Sequence, residues 1–351
     1  MKKLIVFVVV LCLLLTGCSW LDGAYHSVTP HASDNSAHVQ SGITVSSIAE
    51  IREALSSMVN NGSSGGTLYM QGIIHENVNA FMNAAIAQVK TNTALGAYAV
   101  DAINYESGTI GGREAVAVDI TYLHFRPELM RIKRVRTMNN LKKLIENALV
   151  ACDPSVVIMV SEYENVDIVQ FAQDFTDRNS HQCMEVPQVT ATIYPDSGKE
   201  RIVEVSFTYE NSREVLRNMQ DTVTPIFTAA KMYVQGSEDA QQKCEQLYSF
   251  LMERFDYQID TSITPTYSLL RHGVGDSKAF ASVYSIMCRN SGIPCEVVLG
   301  TRDGEARYWN YLKIDDTYYH LDLLTSQALG GFTLFTSDML EGYVWDYSQF
   351  P

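Results

Sequence analysis

The sequence predicts an α+β chain of two tandem, duplicated α-β-α-β-β units followed by a third α+β domain. Three observations predict it. Short segments recur at an offset of roughly 88 residues, the mark of an internal duplication. Within each copy the apolar positions alternate between helical spacing and strand spacing. Beyond residue 238 the copies stop, and a different order of helix and strands begins.

The first unit spans residues 44–137. Ile48, Ile51, Leu55 and Met58 fall on one face of a helix over Val45–Asn60. A strand over Thr67–Ile73 follows, then a helix over Val78–Lys90 with Val78, Phe81, Ala85 and Val89 aligned. The unit closes in a hairpin of Tyr98–Tyr105 and Ala115–Tyr122 around Gly108, Gly111 and Gly112. The second unit, residues 138–237, repeats the order with a helix over Met138–Ala151, a strand over Val156–Tyr163 and a helix over Val166–Thr176. Its hairpin strands are Gln188–Tyr194 and Arg201–Tyr209. The echoes include Glu76-Asn77-Val78 with Glu164-Asn165-Val166, and Asp119-Ile120-Thr121-Tyr122 with Ser206-Phe207-Thr208-Tyr209. A helical stretch over Val223–Phe255, broken at Gly236-Ser237, leads into the domain at 238–351.

That last domain carries Gly273-Val274-Gly275-Asp276-Ser277-Lys278-Ala279-Phe280-Ala281, then Arg307-Tyr308-Trp309-Asn310, then Tyr318-Tyr319-His320-Leu321-Asp322. In order, spacing and flanking residues these segments resemble the core of the transglutaminase-like (papain-like) superfamily. The resemblance implies a nucleophilic Cys opening a helix, a His on the next strand and an Asp on the strand after. Matched position by position, the Cys falls on Ser277, the His on Arg307 and the Asp on Asp322. Trp309 matches the family's Trp beside its His and is read as core or cleft wall, with His320 as a further cleft candidate. The rest of the frame follows: a buried helix over Ala279–Asn290, a strand over Glu296–Gly300, and a hairpin of Arg307–Ile314 and Tyr318–Leu324 turned at Asp315-Asp316.

The chemistry implied by that resemblance needs a thiolate at a helix N-terminus, a His to take its proton and an Asp to orient the His. Ser277 offers a poorly acidic hydroxyl instead. Arg307 stays protonated and cannot act as a base. Cys288 lies about 16 Å further along the same helix at 1.5 Å per residue, and Cys295 opens the next strand, so neither occupies the nucleophile position. With the base gone, Ser277 or Asp276 fits a helix N-cap, and Arg307 is expected to pair with Asp322 through a charge-assisted hydrogen bond. His320, two residues before Asp322 and so on the same strand face, leaves a Ser277–His320 or Ser277–Asp322 route to amide hydrolysis or transfer formally open.

At the other end, Lys2 and Lys3 precede an apolar run from Leu4 to Leu15 and then Thr16-Gly17-Cys18. The run is shorter than the roughly 20 residues of a membrane span and reads as a signal peptide over 1–17. The small residues before Cys18 resemble a bacterial lipobox, which implies lipidation of Cys18 and anchoring outside the cytoplasm. Residues 18–43 read as a flexible linker, in which His26, His31 and His38 are too loosely spaced to hold a metal.

The formal charge of −14 excludes nucleic acid as a partner. Besides Cys12 and Cys18, the chain has Cys152, Cys183, Cys244, Cys288 and Cys295, an odd set without a C-x-x-C pair. Buried, unpaired thiols fit this better than a disulfide framework or a zinc site, and no cofactor is called for. Three functions remain open. The domain is a non-catalytic binding or scaffold module for a peptide, a protein or a cell-envelope polymer; or it acts on amide bonds; or the duplicated units hold the function, with the best pocket between them.

Overall fold

Ser47 and Thr137 stand at the same point of the two units. Each side-chain oxygen accepts a hydrogen bond from the backbone N–H three residues on, capping helix Ile48–Asn60 and helix Met138–Val150 respectively. The computed structural model describes residues 42–124, 126–237, 239–259 and 262–351. The expected signal segment, Cys18 and the linker up to residue 41 lie outside the described residues.

In the first unit, β1 (Ile43–Val45) runs parallel to β2 (Gly65–Met70), and β2 pairs antiparallel with the second arm of the hairpin β3 (Val100–Ile110) and β4 (Arg113–Tyr122). The order is β1-β2-β4-β3. The second unit repeats it as β5-β6-β8-β7, with β5 (Lys133–Val135), β6 (Ser155–Val160), β7 (Gln188–Tyr194) and β8 (Arg201–Thr208). Each unit is therefore β-α-β-α-β-β: a leading strand is added to the expected α-β-α-β-β. At three residues apiece, β1 and β5 are too short to show a period, and they form only because β2 and β6 offer a free edge. The first hairpin turns at Gly111-Gly112, both at positive φ (60° and 78°), as a two-residue primed turn requires. Gly108 lies within β3, not in the turn.

The second helix of the first unit runs His75–Asn92 and is followed by a short helix, Ala94–Ala99. The short helix has no counterpart in the second unit, and it does the docking. Tyr98 packs edge-on against Tyr194 of β7 at 5.4 Å, and Met159 of β6 and Ile202 of β8 belong to the first unit's core. Alternate residues of β6 and β8 (Ile158, Val160, Val203, Val205) face the second unit's own helices. The second sheet is thus covered on both faces, which explains the near-continuous apolar run Val156–Val160.

Helix Arg213–Tyr233 begins ten residues before the predicted start at Val223. Ser212 caps it, and its first turns are polar, so only Leu216 on that stretch signals a buried face. Helix Ala240–Met252 follows. Leu216, Val223 and Phe227 of the first helix share one core with Leu247 and Leu251 of the second and with Phe280, Tyr284 and Leu312 beyond. The expected boundary at residue 238 therefore falls between two helices of one hydrophobic cluster, because the polar start of the first hid its inward stripe.

In the C-terminal domain, β9 (Asp256–Tyr257) pairs with β10 (Val274–Gly275), and β10 leads into helix Ser277–Asn290. That helix packs on the sheet β13-β12-β11-β14, made of β11 (Cys295–Arg302), β12 (Glu305–Ile314), β13 (Thr317–Leu321) and β14 (Tyr343–Trp345). The hairpin turns at Asp315, with φ 51°, as expected. All five cysteines among the described residues are buried and free. No helix among the described residues is long and apolar enough to cross a membrane.

Candidate functional site

Gly275 brings the chain close in before the central helix. A Cβ there would lie 2.8 Å from Ala279 Cβ and 3.2 Å from Leu269 Cβ, so only glycine lets β10 run straight into the helix. Asp276 is extended and caps that helix, its Oδ1 accepting from the Ala279 amide at 2.8 Å. Ser277 is the first helical residue and is buried. Its Oγ accepts a hydrogen bond from the Tyr308 amide at 3.3 Å, which ties the helix N-terminus to β12.

One residue earlier on β12, Arg307 reaches Asp322 at the end of β13. Nε donates to Oδ2 and Nη2 to Oδ1, each at 2.7 Å, a fork that matches the carboxylate on both prongs. Asp322 is 1% exposed and accepts three more bonds: from the Tyr343 hydroxyl at 2.8 Å and from the Leu324 and Thr325 amides at 3.0 Å. It thereby caps helix Leu323–Ala328 and holds the C-terminal strand β14 through Tyr343. Burial pushes the Asp322 carboxyl up, but the Arg307 guanidinium, the Thr325 amide and the Tyr343 hydroxyl outweigh it and hold it below the usual carboxylate range. Burial and the Asp322 charge push Tyr343 up to about 12, which keeps it a proton donor.

His320 faces elsewhere. Trp309 Nε1 donates to its Nδ1 at 3.0 Å, so the ring proton is on Nε2, which meets Ser337 Oγ at 3.3 Å. Both ring nitrogens are occupied in a cluster with Tyr311, Trp345 and Phe335 on the sheet face opposite the helix. Burial lowers its pKa to about 4, so the ring is neutral. The expected common face of His320 and Asp322 does not form. β13 ends at Leu321, and Asp322 turns out of the strand into a helix cap. Ser277 and His320 are not brought together, and Ser277 Oγ has no hydrogen bond to a basic side chain among the described residues.

Cys288 and Cys295 lie in the core on the far side of the helix, and burial pushes the Cys288 thiol well up. Lys278, beside Ser277, points to the second unit, where it pairs with Asp177 at 3.1 Å. Ser277, Arg307 and Asp322 thus converge at one place, as their alignment requires. Sequence reasoning missed the other partners of Asp322, which are Tyr343 and the Leu324 and Thr325 amides. The amides follow from the turn into a helix at Asp322, and Tyr343 returns on β14 from 21 residues further along, outside the matched segments.

Residues 228–323 match the transglutaminase-like superfamily. The C-terminal domain is transglutaminase-like. No curated protein matches the chain. Similar solved structures include a putative protease from Parabacteroides distasonis ATCC 8503, at 11% identity and TM-score 0.25, covering 62% of this chain and 35% of that one. They include also a TGase, at 9% identity and TM-score 0.29, covering 67% of this chain and 69% of that one. A third is a putative cysteine protease from Cytophaga hutchinsonii, at 10% identity and TM-score 0.28, covering 45% and 70%. This chain spans about a third of the length of the first. The transglutaminase-like match includes Ser277, Arg307 and Asp322, and it begins inside helix Arg213–Tyr233, which already belongs to that domain's core.

Proposed function

We propose that this chain is a lipid-anchored extracytoplasmic protein, tethered through Cys18, whose transglutaminase-like domain binds a partner and does not cleave or transfer amide bonds. The bidentate Arg307–Asp322 pair carries this reading. A transglutaminase-like centre needs a neutral nitrogen base between nucleophile and carboxylate. Here that place is filled by a guanidinium that does not give up its proton. The carboxylate accepts five hydrogen bonds and has become a structural pin. Ser277 Oγ accepts a hydrogen bond from the Tyr308 amide and, among the described residues, has no basic acceptor that would activate it. The basic, apolar, small-residue and cysteine order of residues 2–18 supports export and lipidation.

The test is reversion. Ser277→Cys with Arg307→His is assayed beside the parent for alkylation by iodoacetamide and for hydrolysis or transfer on a casein substrate. Fast alkylation confined to the double variant, with a silent parent, is the expected result. Casein hydrolysis or transfer by the parent, abolished in Ser277→Ala, would overturn the reading. Metabolic labelling with an alkyne fatty acid, lost in Cys18→Ser, tests the anchor.

A further inference from the structure

Helix Ser277–Asn290 is buried along most of its length, yet one stripe of it is polar. Lys278, Ser282, Ser285 and Arg289 recur at helical spacing. Facing the stripe is helix Ile168–Arg178 of the second unit, with Asp174, Asp177 and Arg178. Two cavities lie between these helices, of about 280 Å³ and about 440 Å³, and they share Asp177, Lys278 and Ser282 as walls. They form one cleft along the helix flank. Ser277, Arg307 and Asp322 line neither cavity, so the cleft is distinct from the triad positions.

Much of the polar surface between the helices is used up in docking. Lys278 pairs with Asp177, and Arg178 Nε with Glu296 at 3.1 Å. Three groups are not used up. Ser282 is 5% exposed, lines both cavities, and its hydroxyl makes no hydrogen bond among the described residues. A serine inside a helix ordinarily bonds back to its own backbone or reaches water; this one makes no backbone bond, so its hydroxyl is left to the cleft. Tyr209 lines the smaller cavity, and its buried hydroxyl has no partner among the described residues. At the far end of the larger cavity, Arg289 donates to the Ser285 and Arg178 carbonyls but has no carboxylate within salt-bridge distance among the described residues. The buried Tyr209 hydroxyl is costly without a partner, and Ser282 and Arg289 leave further hydrogen-bonding capacity on the walls of the same cleft.

From Lys278 to Arg289 the stripe rises about 16 Å at 1.5 Å per residue, the reach of about five residues of extended chain at 3.3 Å each. Hydroxyls that both donate and accept suit peptide amides. Tyr308, Leu299 and Phe350 on the larger cavity offer apolar surface to side chains. Arg289, at one end of the stripe, feels the Glu296 charge without pairing with it and can hold a further carboxylate. We infer that the cleft between the second unit and the transglutaminase-like domain binds a short extended peptide, about five residues long, whose carboxylate is held by Arg289 and whose backbone is read by Ser282 and Tyr209. This deepens the binding role proposed above and rests on it.

The test is equilibrium dialysis of the full chain against a mixture of random pentapeptides, with free or amidated C-termini, read by mass spectrometry. Free-acid peptides are expected to be retained at least ten-fold over amidated ones, and Arg289→Gln to abolish that preference. Because Arg289 also braces Arg178, Ser282→Leu provides a second variant: it fills the cleft floor without touching the docking pairs, and is expected to lower retention ten-fold at unchanged melting temperature. No retention by the parent, equal retention of amidated peptides, or retention indifferent to Ser282→Leu would each overturn the inference. Cleavage of the retained peptides by the parent would instead overturn the non-catalytic reading and leave the cleft standing, so the two fail separately.

Discussion

Trp309 gives its indole proton to Nδ1 of His320 at 3.0 Å, across the β12–β13 ladder of the transglutaminase-like domain. The bond fixes the histidine tautomer and turns Nε2 toward Ser337. It also gives His320 a structural role, because both nitrogens are engaged inside an aromatic cluster.

The pH dependence of stability follows from that burial. His320 titrates near 4 in the folded chain and near 6.5 when unfolded, so between these values the unfolded chain binds the extra proton. Stability is full above pH 6.5 and falls as pH drops toward 4. After allowance for solvent screening the loss is on the order of 2 kcal/mol. Burial and Arg289 lower His181 to about 4 as well, and it adds in the same direction. Urea midpoints between pH 7 and 4 should show this decline, and His320→Gln should flatten part of it. A wild-type midpoint constant over that range would contradict the account.

Arg307→Ala leaves the Asp322 carboxylate buried without its cation, a change that costs about 3–5 kcal/mol for a buried pair. The low end is expected, since Tyr343 and two amides still serve the carboxylate. With its folded pKa held below the ordinary 3.8, Asp322 contributes its stability in full above pH 3.8 and loses it as pH falls through the folded value. The cost of Arg307→Ala should therefore be largest in denaturant melts at pH 7 and should shrink as the pH is taken progressively below 3.8.

Gly300 on β11 has no room for a side chain. A Cβ there would stand 2.3 Å from the Val344 carbonyl oxygen and 2.6 Å from Trp309 Cη2, both fixed by the sheet and core. Gly300→Ala should push β14 away and cost about 1–3 kcal/mol as an overpacked site. Gly108→Ala meets nothing within 4 Å and serves as the control. Equal melting temperatures for the two variants would refute the close packing of β14.

The second unit is held to the transglutaminase-like domain mainly by apolar burial. Met184, 2% exposed, lies in that domain's core, and Ser180 Oγ meets Thr266 Oγ1 at 2.6 Å beside it. Met184→Ala should cost about 2–5 kcal/mol. Lys278→Ala removes only a partly exposed ion pair with Asp177 and should cost less than about 1 kcal/mol. The reverse order in thermal unfolding would show that charge, not burial, holds the two together.

Where the structure departs from the sequence reading, each departure has its own physical cause. β1 and β5 carry too few residues for a period to show. The start of helix Arg213–Tyr233 is polar because it buries only Leu216 there. The family resemblance links Asp322 to Arg307 through two of its segments, but Tyr343 reaches Asp322 from a strand outside those segments. One of the three open readings placed the best pocket between the duplicated units. Tyr98 and the second sheet's outer face close that junction with apolar contacts, and the cleft opens one junction later.

By itself the sequence determined the duplication and the helices and hairpins with a clear apolar period, because these are written in local spacing, while the resemblance of three separate segments to one superfamily implied the meeting of Ser277, Arg307 and Asp322. Only the tertiary structure decided that Asp322 is a pin shared by three segments, that His320 belongs to the aromatic cluster, and that Ser282 and Arg289 face an open cleft. Those outcomes depend on which surfaces remain uncovered once separate elements have packed, and no run of neighbouring residues encodes that.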